Sequence, residues 1–153
     1  MQINKANSYD KKRITTFTAV EQNQAVDTPV SIEGKKCRQA KGSKDNKGWI
    51  KTSFGSEQTV FNIEIYNPAI KGSSYLQDAV IYIGENVCTK VDSSPPTDQV
   101  ISLECIDTTR KVRDVDTTTT TQNGIKGSYL KIESKYEGDL TACDITIIVK
   151  ETD

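Results

Sequence analysis

The side chains with the most chemistry to offer are four cysteines, Cys37, Cys88, Cys105 and Cys143. Thiols ligate metals, act as nucleophiles or close disulfides. No two of these stand in a C-x-x-C pair, which argues against a zinc ribbon or a thioredoxin-like redox motif. The chain contains no His. That removes the Ser-His-Asp and Cys-His pairs that activate nucleophiles. It also removes the commonest zinc ligand and the usual general base near neutral pH. An even number of cysteines without a nucleophile partner favours disulfides and an oxidising compartment. Four cysteines allow three pairings, and their spacing leaves all three open.

Carboxylates are the remaining catalytic candidates. Glu133 and Asp139 are near neighbours, but no cleft signal surrounds them, so glycosidase chemistry is not expected and no catalytic residue is assigned. Lys and Arg number 20 against 21 Asp and Glu. With no basic excess, and with Lys12-Arg13 and Lys35-Lys36 too small for a footprint, no nucleic-acid partner is expected. The segment Arg110-Lys111-Val112-Arg113-Asp114 reads as a solvated face. No stretch approaches the ~20 apolar residues of a membrane span. The first twenty residues are polar and mixed in charge, without the apolar core of a secretory signal.

The elements that must carry these residues are strands. At 153 residues the chain is one domain's length. It holds 16 Ile, 11 Val and 18 Thr but only 4 Leu and 7 Ala. β-Branched side chains lose rotamer freedom in a helix and fit a pleated surface, so an all-β fold is expected. Strand-like runs fall at 13–20, 49–54, 59–66, 79–83, 100–104, 128–134 and 143–149. In 59–66, Phe61, Ile63 and Ile65 oppose Val60, Asn62, Glu64 and Tyr66. In 128–134, Tyr129, Lys131 and Glu133 oppose Leu130 and Ile132. Gly, Pro, Asn and Ser clusters at 41–48, 67–74 and 92–99 separate the runs, as in a sandwich or barrel. The threonine run at 116–124 reads as a solvated loop or edge strand, with O-glycosylation as the alternative. Trp49, the largest apolar side chain, is expected between the sheets.

The order of several segments from Cys37 onward resembles the F-type lectin (fucolectin) family, within the discoidin or coagulation-factor type C group. They are Gly48-Trp49-Ile50-Lys51-Thr52-Ser53-Phe54-Gly55, Ile63-Glu64-Ile65-Tyr66-Asn67, Leu76 to Gly84, Asn86-Val87-Cys88, Ile101 to Cys105, Gly127 to Ile132 and Leu140 to Ile145. The likeness covers roughly residues 24–149. It implies an antiparallel β-sandwich of jelly-roll type, with about eight strands, over residues 20–153. Residues 1–19 are then an N-terminal arm. The likeness also implies the pairings Cys37–Cys143 and Cys88–Cys105, and an extracellular protein, secreted or at the cell surface, whose signal is absent from this chain.

The same resemblance implies a sugar site built from one His and two Arg. At those positions stand Gln39, Pro68 and Tyr75, so the family's fucose chemistry does not carry over. The rim still offers Arg38, Gln39, Lys41, Lys71 and Tyr75, an aromatic face with cationic and amide groups that suits another sugar or an anionic glycan. A structural calcium is also implied, held by Asp27 and Asp144 with carbonyls near Gln24, Pro29 and Lys36. Thr28-Pro29 replaces the family's Gly-Asn, and Asp144 replaces its Glu.

These implications lead to a non-enzymatic extracellular recognition module, with a glycan or glycoprotein as partner. The alternative is a structural subunit of an extracellular assembly or filament, a homo-oligomer that kept the scaffold and lost sugar binding. In that reading the N-terminal arm adds a strand to a neighbour's open edge. An intracellular subunit of a larger complex is a third reading, which paired cysteines oppose.

Overall fold

The computed structural model describes residues 11–15, 19–22, 30–32, 34–68, 76–105, 124–136 and 140–151. Ten strands lie among them: β1 Lys11–Ile14, β2 Ala19–Gln22, β3 Val30–Ile32, β4 Lys35–Ala40, β5 Trp49–Asn67, β6 Val80–Ile83, β7 Asn86–Lys90, β8 Gln99–Glu104, β9 Ile125–Glu133 and β10 Leu140–Lys150. Every pairing between them is antiparallel. None of the described residues is helical. The all-β jelly-roll sandwich expected from the sequence is the fold observed.

The two runs at 49–54 and 59–66 form one strand, β5, which serves both layers. Its first part lies between β2 and β9, and β6 and β7 extend that front layer. Its second part lies between β8 and β10. On the other side of β10, β4 and β1 pair at different levels, and β3 adds to β4. A register break between Ser53 and Gln58 of β5, with Gly55 at φ 84°, lets the strand bend between the layers. The bend closes the sandwich. A Cβ placed on Gly48, just before β5, would stand 3.1 Å from the Ala40 carbonyl oxygen and 3.2 Å from Leu140 Cβ.

One core fills the space between the layers. Ile50, Ile81, Ile83, Leu130 and Ile132 from the front meet Ile63, Ile65, Leu140, Ile147 and Val149 from the back, all fully buried. Each such side chain contributes about 1.5–3 kcal/mol relative to exposure. Val60 joins them, although alternation put it on the side of Asn62 and Glu64. A register shift opposite Ile148 and Val149 inserts an extra β5 residue there, and one residue inverts the pleat.

Trp49 corrects an expectation. It is not between the sheets but half-exposed on the outer face, because Ile50, Thr52 and Phe54 take the inner positions of the same strand. The run at 13–20 also divides: β1 pairs with β10 and β2 with β5. Within the proposed arm, β1 therefore lies on the chain's own back layer, and Arg13 forms an ion pair with Glu64 of β5.

Both disulfides follow the implied pairing. Cys37 and Cys143 face each other in register across β4 and β10, and Tyr66 packs beside them. Cys88 of β7 joins Cys105 beyond β8, tying the front layer to the back.

Candidate functional site

A set of hydrogen bonds fixes one end of the sandwich. The Ser134 amide donates to the Gly48 carbonyl at 2.8 Å, binding the end of β9 to the start of β5. Ser134 Oγ accepts from the Tyr136 amide at 3.1 Å, and the Tyr136 hydroxyl donates to Asp78 Oδ2. Asp78 itself is buried. Asn67 Nδ2 donates to the Pro96 carbonyl at 2.9 Å, holding the 92–98 loop against the far end of β5. The 41–48 loop is closed by Ser43, whose amide donates to the Asn46 carbonyl at 2.8 Å and whose Oγ accepts from the Asn46 amide at 3.2 Å.

Of the rim residues named from the sequence, Arg38 and Gln39 do not share one face. Arg38 is opposite Ala142, a core residue, and Gln39 is opposite Thr141. Successive strand residues point to opposite faces, so the two side chains diverge. Gln39 Nε2 donates to Thr141 Oγ1 at 3.3 Å, on the outer face that carries the Cys37–Cys143 bridge. Lys41 is exposed just beyond β4. Lys71 and Tyr75 lie outside the described residues. Pro68, at a position where the family has Arg, is buried.

Asp144 occupies a bulge of β10 with φ 46°, and its Oδ1 accepts from the Lys36 amide at 3.1 Å. Asp27 lies outside the described residues. Among the described residues no group of three or more Cys, Asp or Glu gathers to hold a metal. Of the implied calcium ligands, Asp144 and Lys36 lie among the described residues, and one Asp144 oxygen is already engaged by the Lys36 amide.

The outer face of the front layer carries a second constellation. Lys51 of β5 and Lys131 of β9 are directly opposed in register. Like charges in that relation destabilise a sheet. The two ammonium groups lean apart along diagonals. Lys51 Nζ is 4.1 Å from the Tyr129 ring centroid, and Lys131 Nζ is 5.4 Å from that of Trp49. Each contact returns about 0.5–1 kcal/mol at an exposed site. Lys131 also pairs with Glu133 at 3.4 Å. Tyr82 of β6 is level with Lys131 on the same face. Beside Trp49, loop residues 44–47 wall a cleft of about 640 Å³ that Lys131 and Glu133 also line. Alternation within 49–54 and 128–134 could have shown which residues face outward. The Lys51–Lys131 opposition depends on register and could not be read from either run alone.

No family model and no curated protein sequence matches the chain. Solved structures match its fold. An F-lectin (fucolectin) from the serum of striped bass, Morone saxatilis, is 16% identical with a TM-score of 0.60, over 95% of this chain and 50% of its own. The CBM32 of AlyQ in complex with 4,5-unsaturated mannuronic acid is 17% identical with a TM-score of 0.55, over 86% and 95%. A mutant of the lectin binding domain of Lectinolysin complexed with Lewis b is 11% identical with a TM-score of 0.61, over 95% and 100%. At these identities the likeness is one of fold: the chain has the β-sandwich shared by F-lectins and CBM32 modules. It spans half the length of the striped bass chain.

Proposed function

We propose that this chain is a non-enzymatic, extracellular, lectin-like module that binds a glycan or glycoprotein without the fucose triad of F-type lectins. The observation that carries this reading is the shared sandwich, whose neighbours include structures holding Lewis b and 4,5-unsaturated mannuronic acid. Fold alone gives a prior on function, and sites are grafted onto it. Support from this chain's own residues comes from half-exposed aromatic rings beside lysines and amides. A sugar ring stacks its C–H face on such a ring, while polar groups read its hydroxyls. The rim set Arg38, Gln39, Lys41, Lys71 and Tyr75 belongs to this proposal, as does a structural calcium at Asp27 and Asp144.

Two disulfides support the extracellular assignment, because reducing compartments do not keep such bonds. The non-enzymatic assignment is supported by solved neighbours that are a lectin and a lectin binding domain. The assembly reading has less support, since β1 already adds itself to the chain's own β10.

A glycan array at low salt with calcium tests the proposal. Discrete hits that weaken in Gln39→Ala or Tyr75→Ala support it; a blank array overturns it.

A further inference from the structure

We infer that the outer face of the front layer, between Trp49 and Tyr129, binds an extended anionic glycan through the opposed pair Lys51 and Lys131. This rests on the glycan-binding reading and gives it a ligand class and a surface distinct from the rim.

Nothing in the fold requires two lysines to face each other across β5 and β9. A Glu or Thr in either place would remove the repulsion. Glu133 answers Lys131, and on the other side of β5 Glu21 of β2 stands opposite Lys51 in register. Loop residues 44–47 add Lys44 and Lys47 against Asp45, so the four lysines of the region outnumber Asp45, Glu133 and Glu21 by one. A carboxylate or sulfate set between Lys51 and Lys131 receives charge-assisted hydrogen bonds from both and cancels the repulsion.

The cations are flanked by rings on the same face, Trp49 one row above and Tyr129 one row below, with Tyr82 level beside Lys131. The two flanking rows are four residues apart along β5, roughly 13 Å at strand rise. A ligand lying along the strand meets ring, charge and ring in order. That sequence suits a chain of sugar units bearing acid groups: apolar sugar faces lie on the rings and the acid lies over the lysines. A compact inorganic anion would use the lysines and leave the rings unused.

Trp49 is the chain's single tryptophan, so its emission reports on this face. The oxidised full chain is titrated with a polyuronate, a sulfated galactan and a neutral galactan, following Trp49 emission and affinity electrophoresis together. A saturable emission change is expected with one or both acidic polymers and not with the neutral one. The acidic arm that responds identifies the acid group. Raising salt from about 50 to about 500 mM weakens the response, because charges at this surface are screened. Lys51→Gln with Lys131→Gln is expected to lower affinity at least tenfold without lowering the melting temperature. Full binding by the double lysine variant, or acidic binding with no Trp49 response, overturns the inference. Array hits on neutral glycans with no acidic binding overturn it while leaving the broader proposal standing. A chain that binds no glycan of either kind overturns both.

Discussion

Tyr136, just past β9, donates its phenolic hydrogen bond to the buried Asp78 carboxylate, just before β6. This contact ties two loops at the end of the sandwich. It also raises the pKa of the phenol, chiefly through that hydrogen bond, with desolvation and the neighbouring negative charge acting in the same direction. The neutral phenol is the form the fold prefers. Its contribution to stability is therefore complete below about pH 10, the unfolded value, and is lost as pH rises through the higher folded value. Near-ultraviolet absorbance titration is expected to lose a late-ionising phenol in Tyr136→Phe. A late phase left unchanged by Tyr136→Phe contradicts the contact.

The two disulfides close loops of very different length, with sequence separations of 106 and 17. The chain-entropy relation gives about 4.7 kcal/mol for ~100 residues and about 3 kcal/mol for ~15. Replacing both Cys37 and Cys143 by Ala is thus expected to cost more than replacing Cys88 and Cys105, measured by denaturant unfolding. The reverse order would mean that packing of the Cys88–Cys105 bridge against the core outweighs loop closure. Thiol titration of the unreduced, unfolded chain is expected to find no free thiol.

Thr52 is 1% exposed on the inner face of β5, and its hydroxyl has no hydrogen-bond partner among the described residues. A buried hydroxyl left unpaired costs about 1–3 kcal/mol. Thr52→Val keeps the shape and removes that cost, so a higher melting temperature is expected. A lower one would show that the hydroxyl has a partner.

Much of this fold can be read in the chain. Alternation marks β9 in Leu130 and Ile132 against Tyr129 and Lys131, and the resemblance supplies the disulfide pairing. Strands β3, β4 and β7 fall outside the expected runs, and KKCRQA and NVCTK of β4 and β7 show little apolar alternation. Their buried positions are filled partly by Cys37 and Cys88, whose burial comes from partners far along the sequence. The fold class puts Trp49 inside, yet Ile50, Thr52 and Phe54 take that side of the strand. The inversion at Val60 is set by β10, and no local pattern in β5 reveals it. The candidate site was less legible for the same reason: the opposition of Lys51 and Lys131 exists only once β5 and β9 are in register.

The calcium proposal has its own test. Asp144 shows one oxygen engaged by the Lys36 amide. If Asp27 and Asp144 share a cation, chelation lowers the melting temperature by mass action, and Asp144→Ala abolishes the effect. A melting temperature indifferent to chelator removes the metal from the account.

The central claim is that the folded chain recognises glycans. The most direct measurement is a glycan array of neutral and acidic structures, probed with the oxidised chain and, as control, with the same chain reduced and unfolded. Discrete, saturable hits from the oxidised chain alone are predicted. A blank array, or equal signal from the reduced chain, would contradict the account.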